Sequence, residues 1–138
     1  FWHDTLQNTT HPWTNTAAEV AGPNHNITGL GFGKVIVFND SLTLAPALGS
    51  KLLGRGQGVY IYDRTQAGIA FNALLVFSAV IENEEYNGTL NFMGADLILA
   101  PSRDISVVGG TGDFEMARGI ANLVTHSIDG DTFIVNVT

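Results

Sequence analysis

The sequence predicts an all-β domain, and three features carry that reading. Val (11), Ile (10) and Thr (13) together make up a quarter of the 138 residues, and 16 Gly interrupt them. β-Branched residues punctuated by Gly fit pleated strands and tight turns better than helices. Apolar runs of strand length recur with turn signals between them, and no amphipathic helical pattern of about 10 residues or more is present. Strands at regular spacing with such turns mean an antiparallel sandwich or barrel.

Taken in order, 34–38 is a continuous apolar run of strand length. In 58–62, Val59 and Ile61 fall on one face and Tyr60 and Tyr62 on the other, because strand side chains alternate. The stretch 71–81 is long enough for a helix. It carries no polar face at helical spacing and no cap, so a long strand is predicted. Asn87-Gly88 is a hairpin signal between it and a strand over 89–93. Strands over 105–108, 116–126 and 133–137 complete the set. Gly54-Arg55-Gly56-Gln57-Gly58 reads as the bent start of a strand, and Gly109-Gly110-Thr111-Gly112 as a turn. A phosphate cradle needs a helix after its glycines, and no helical pattern follows either stretch. Without repeats, low-complexity tracts or linkers, residues 1–138 read as one domain. A closed barrel of about eight strands is either filled with side chains or holds one small ligand. The choice turns on whether ionisable residues sit on inward faces.

Composition removes several function classes. The absence of Cys excludes structural Cys zinc sites, CxxC redox chemistry, haem attachment and thiol catalysis in these residues. A net charge of −7, from 13 acids against 6 bases, argues against nucleic acid or an anionic membrane as partner. With 45% hydrophobic and 14% charged residues the chain is not of disordered type. The longest apolar run, 71–81, is interrupted by Asn72 and Ser78 and is too short to span a bilayer. Phe1-Trp2-His3-Asp4 does not resemble a natural start and the far end stops within an alternating pattern, so both ends are read as trimmed. Sequons at Asn8, Asn26, Asn39, Asn87 and Asn136 exceed the one or two (about) expected by chance, and point to a secreted glycoprotein.

The familiar catalytic signatures HExxH, GxSxG and the P-loop are missing. His3, His11, His25 and His126 show no ligand spacing, so no metal site is expected. Two acids stand in apolar surroundings: Asp4 after Phe1-Trp2-His3, and Asp96 within Gly94-Ala95-Asp96-Leu97-Ile98-Leu99. Burial favours the neutral carboxyl, which then serves as an acid near neutral pH. The plainer alternative is that each Asp caps a turn or pairs with an Arg. Arg103 is such a partner, or a group that binds a phenolate oxygen. Tyr60 and Tyr62 either meet an aromatic ligand or pack as barrel wall. These residues alone describe a small secreted barrel with two buried carboxylic acids, and they name no substrate.

A longer set of motifs does. Phe1-Trp2-His3-Asp4, Val37-Phe38-Asn39-Asp40, Gly54-Arg55-Gly56-Gln57-Gly58-Val59-Tyr60, Gly88-Thr89-Leu90 and Gly94-Ala95-Asp96 resemble the plant dirigent proteins. So does the long block from Arg103-Asp104-Ile105-Ser106 through Gly109-Gly110-Thr111-Gly112-Asp113-Phe114 to Met116-Ala117-Arg118-Gly119. The likeness runs in order over nearly the whole chain. It implies an eight-stranded antiparallel up-and-down β-barrel of calycin-like form, assembled as a homotrimer, secreted to the apoplast and glycosylated. It implies no cofactor and no oxidising power. Members of the family steer the coupling of phenoxy radicals made by a separate laccase or peroxidase, coniferyl alcohol radicals above all, toward one lignan enantiomer. A second branch, the pterocarpan synthases, closes a ring on an isoflavanol by loss of water through a quinone methide.

By motif, the family's acids fall on Asp4 and Asp96, and its arginine on Arg103. The implied mechanism stacks phenolic units against Tyr60 and Tyr62, protonates quinone-methide oxygens from Asp4 and Asp96, and positions one phenolic oxygen with Arg103. Gly94-Ala95-Asp96 and Tyr60-Ile61-Tyr62-Asp63 resemble the lignan-forming type, whereas Phe1-Trp2-His3-Asp4-Thr5 resembles the pterocarpan branch. A dehydratase of that branch is therefore the alternative reading, and a barrel that only binds carbohydrate in defence is the third. Glycosylation is expected at Asn8, Asn26, Asn39 and Asn87.

Overall fold

Side chains that alternate between the inside and the outside along each strand are what let this chain close on itself. The computed structural model describes residues 1–6, 15–22, 31–65, 72–130 and 132–138. The described residues form nine strands: β1 (Trp2–Thr5), β2 (Ala17–Ala21), β3 (Val35–Thr43), β4 (Leu52–Tyr62), β5 (Asn72–Glu82), β6 (Asn87–Leu97), β7 (Arg103–Gly112), β8 (Gly119–Asp129) and β9 (Thr132–Val137). Among the described residues there is no helix.

Strands β3 to β9 form an antiparallel meander in which each pairs with the next. β1 completes the ring. It pairs with β9 through Trp2↔Val135 and Asp4↔Phe133, and with β3 through Trp2↔Leu42 and His3↔Ser41. Eight strands, β1 and β3 to β9, thus make a closed up-and-down barrel, as the sequence resemblance implied. β2 lies against the other half of the same β3 edge, with Ala17 opposite Phe38.

Inward positions repeat every second residue: Ile36, Phe38 and Asp40 on β3, Ala73, Leu75, Phe77 and Ala79 on β5, and Arg103 and Ile105 on β7 are all buried. Ile36, Leu75, Ile105 and Leu123 have essentially no exposed surface, and burial of each stabilises the fold by roughly 1.5–3 kcal/mol. Tyr60 and Tyr62 share a face, as the alternation predicted; that face points inward, and the two rings meet edge to face at 5.7 Å. An aromatic stack fills the middle of the bore: Phe92 on Phe77 at 4.5 Å, and Phe77 on Trp2 at 5.5 Å.

The glycine-rich stretches sit differently from the sequence expectation. Gly54 to Gly58 lie along the body of β4, not at its start, because their missing side chains let β5 cross close by. A Cβ on Gly58 would stand 2.2 Å from the Val76 carbonyl oxygen and 2.4 Å from Phe77 Cβ. Gly109 to Gly112 are likewise strand residues of β7, and the turn follows over 113–116. That turn ends on Met116 with φ 65°, so β8 starts at Gly119 and not at 116. The β5–β6 turn precedes Asn87-Gly88: Asn83 closes it by accepting the Glu85 and Tyr86 amides on its side-chain oxygen, which leaves Asn87 and Gly88 to open β6.

These contacts set a contrast in denaturation. Gly58→Ala is expected to lose about 1–3 kcal/mol through overpacking against β5. Gly119→Ala, whose added methyl meets nothing within 4 Å, should stay within about 0.5 kcal/mol of the parent in urea melts.

Candidate active site

One end of the barrel is hollow. A cavity of about 380 Å³ lies above the aromatic stack, walled by Trp2, Leu6, Tyr60, Phe133 and Val135 and rimmed by Ile98, Leu99 and Ile128. Asp4, Tyr62, Asp96 and Arg103 also line it. Its size falls at the lower end of the usual range for small-molecule sites, and the lining is mostly apolar with a few convergent polar groups.

Strand register brings those groups together. Tyr62 on β4 stands opposite Ala73, and Ala73 opposite Asp96 on β6, so all three occupy one level of the bore. Arg103 begins β7 and Asp4 belongs to β1, which the closure places beside β9. The two candidate acids are therefore brought into one cavity from opposite ends of the sequence, together with both tyrosines and the arginine.

Their partners differ. Asp96 Oδ1 accepts a hydrogen bond from Arg103 Nε within an ion pair whose two side chains are both buried. Arg103 Nη1 also donates to Thr125 Oγ1 at 2.8 Å, which fixes the guanidinium plane. Asp4 Oδ2 accepts from the Tyr60 hydroxyl at 3.3 Å, and Asp4 Oδ1 is buried without a partner. Burial pushes the Asp4 carboxyl up to about 6, the Asp96 charge adds to the rise, and the Tyr60 hydroxyl opposes it. Burial raises Asp96 as well, while Arg103 pulls it down through charge and hydrogen bond. Tyr62 is pushed up to about 12, chiefly by burial, and Tyr60 lies well above its usual range for the same reason, so both hydroxyls keep their protons.

A third interior carboxyl was not singled out in the sequence. Asp40 has no exposed surface and accepts the Trp2 indole Nε1–H on Oδ2. Its Oδ1 has no partner in hydrogen-bonding geometry, although the Thr16 hydroxyl is near enough to favour the ionised form. Burial first, and then the charge of Asp4, push Asp40 up to about 8. The signal was available: in 36–40 the inward positions are Ile36, Phe38 and Asp40, an acid on the apolar face of a strand. Among the described residues, three buried carboxyls thus share one buried guanidinium. Uncompensated charge in such an interior is costly enough that the carboxyls without a cation keep their protons to higher pH, Asp4 to about 6 and Asp40 to about 8.

The other expectations are placed as follows. His3 Nε2 bonds Thr43 Oγ1 at 2.7 Å, and His126 packs its ring edge to face on Phe1, so the two do not form a pair. His11 and His25 lie outside the described residues, and among the described residues no cluster of acids and histidines could hold a metal. Asn39 and Asn87 are exposed, and Asn39 Oδ1 accepts Arg55 Nε at 2.6 Å. Asn8 and Asn26 lie outside the described residues.

The raised carboxyls give stability a definite pH sense. Asp4 and Asp40 both titrate above the ordinary 3.8 when folded, so the native state holds protons that the unfolded chain releases. Their contribution is complete below about pH 4 and is lost as pH rises through about 6 and then about 8. His3, lowered by burial, acts in the opposite sense only below its ordinary 6.5. Melting temperature should therefore fall between pH 6 and pH 8, and Asp40→Asn should flatten that decline in calorimetric scans at matched pH values.

Known proteins place this architecture. The family profile described as Dirigent-like protein matches residues 1–138. A dirigent protein of Sinopodophyllum hexandrum is 47% identical over 115 residues, which is 83% of this chain and 55% of that protein. Dirigent protein 5 of Arabidopsis thaliana is 39% identical over 133 residues, 94% of this chain and 69% of that one. The chain thus spans little more than half the length of the first relative and about two-thirds of the second. Among solved structures, the pterocarpan synthase dirigent protein GePTS1 superposes with a TM-score of 0.84 at 29% identity, covering 99% of this chain and 80% of that one. PsPTS1, of the same description, gives 0.82 at 28% identity, covering 99% and 88%. With a profile match along its whole length and the same closed barrel as these solved relatives, the chain belongs to the dirigent family.

Proposed function

We propose that the barrel takes up oxidised phenols and sets the face on which they react, acting as a stereoselective guide in monolignol coupling with no oxidising activity of its own. One observation carries the reading: an apolar, aromatic-walled cavity of about 380 Å³ whose lining includes Asp4, a carboxyl that burial makes hold its proton up to about pH 6. An external laccase or peroxidase removes one electron and the phenolic proton from each of two coniferyl-alcohol-type phenols. The radicals join by one carbon–carbon bond to give a bis-quinone methide. Tyr60, Tyr62 and the apolar wall hold the pair in one orientation, which converts a random encounter into a selected one. Asp4 donates its proton to a quinone-methide oxygen while a side-chain hydroxyl of the intermediate attacks the benzylic carbon and gives up its own proton. Asp96 is the second acid, and Arg103, bonded to it, orients a phenolic oxygen.

The pterocarpan synthase reading uses the same acids, and it draws on the likeness to GePTS1 and PsPTS1. There an isoflavanol loses its hydroxyl as water through a quinone methide, with no oxidant required.

The same proposal includes secretion to the apoplast and glycosylation at exposed Asn39 and Asn87. It also includes assembly as a homotrimer. Support for assembly comes from the outer wall, where Val37, Val59, Val76 and Met93 stand side by side on four successive strands, with Val37, Val76 and Met93 exposed. A contiguous apolar belt of this kind marks a contact face. Val76→Arg should reduce the sedimenting species to a monomer, and an unchanged sedimentation profile counts against the belt.

The deciding experiment is chiral analysis of coniferyl alcohol coupling by laccase with and without the protein, run beside an isoflavanol incubation lacking oxidant. Enantiomeric enrichment in the first supports the coupling guide, and dehydration only in the second supports the synthase. Racemic product and no dehydration overturn both. In whichever reaction responds, Asp4→Asn should slow ring closure by about 10²-fold.

A further inference from the structure

A second cavity of about 150 Å³ lies at the other end of the bore, lined by Phe1, Trp2, Leu42, Leu53, Phe77 and Ala79 among others. Among the described residues, Trp2 alone lines both this cavity and the upper one. Its ring stacks on Phe77 at 5.5 Å with 21° between planes and leans on Phe38 at 5.2 Å. It is almost fully buried, and its indole N–H is held by Asp40, which no water reaches. The hydrogen bond ties a residue of β1 to a residue of β3 across the line where the barrel closes. A large, rigid side chain with its one polar atom satisfied is a fixed partition, not a mobile gate.

We propose that Trp2, positioned by Asp40, is the floor of the ligand site and determines how long a ligand the barrel admits. Above the indole the bore takes a ligand that ends at the ring. With the ring removed, the upper and lower cavities join, and the lower wall (Leu42, Leu53, Phe77, Ala79) is suited to an apolar tail. This inference concerns depth alone and stands whichever phenolic reaction the protein guides. Trp2 selects by steric limit, Asp40 acts through it, and neither is asked to move a proton.

The test uses a graded series of 4-alkylphenols, from 4-ethylphenol to 4-octylphenol, titrated calorimetrically. In the native protein affinity rises with tail length and then stops rising when the tail meets the indole. In W2A it continues to rise, by about fourfold for each further methylene buried. In W2A/A79L, where leucine refills the lower cavity, the limit returns. A cooperatively melting W2A with the native tail dependence overturns the proposal. If W2A does not fold, the pair D40L and D40N decides: D40N keeps an acceptor for the indole and should keep the native limit, whereas D40L should relax it. Equal limits in the pair remove Asp40 and its hold on Trp2 from the role. Should no alkylphenol bind the native protein, crystals under xenon pressure read the same partition. Two xenon positions separated by the ring support it, and continuous xenon density past the ring refutes it.

Discussion

The site depends on the pairing of β1 with two strands at once. Four residues, Trp2–Thr5, join β9 to β3, and without them the meander is an open sheet. Trp2 and Asp4 are adjacent inward positions on that strand, so the element that closes the barrel also delivers the floor of the cavity and its acid. The indole–Asp40 hydrogen bond reinforces the seam from inside. Closure and chemistry are one constraint here: what shifts β1 along its neighbours by one residue turns Asp4 out of the bore.

The interior charge balance follows from that geometry. One guanidinium cannot neutralise three carboxyls, and Arg103 is fixed by two directional contacts, one to the Asp96 carboxylate and one to the Thr125 hydroxyl. Asp4 and Asp40 are left with uncharged donors, a phenol and an indole. Each donor supports a carboxyl without neutralising it, so burial dominates and both carboxyls titrate well above the ordinary range, Asp4 at about 6 and Asp40 at about 8. The two acids of the cavity are accordingly unequal. Asp4 is available to donate, and Asp96 is bound into a pair that fixes orientation.

How much of this was readable follows from what each strand has to do. The strands with alternating faces, β3 to β9, were visible because each buries one side of itself. Tyr60 and Tyr62 were assigned to a common face on that ground alone, and Asp4, Asp96 and Arg103 came from acids in apolar surroundings and from resemblance. β2 was not visible, since only Ala17 of its five residues is buried. β1 is too short for a period to emerge. The glycine stretches misled because Gly signals a turn and a close backbone approach with the same letter, and only the neighbour, Val76 and Phe77 beside Gly58, tells which. Asp40 was legible in principle by its parity with Ile36 and Phe38. The Asp96–Arg103 contact was open as an alternative and needed the register of β6 and β7 to be realised.

The meander from β3 to β8 grows by adding neighbours, each strand docking on the one just made. β1 cannot complete its pairing that way, because Trp2 finds Val135 almost a full chain length later. β1 can pair with β3 early, through Trp2 and Leu42, but its other edge waits until β9 has left the ribosome, and joining such distant segments is a slow step. The ring is closed only by that last pairing, so a nascent chain interrupted before β9 has the greater part of the wall and no enclosed bore.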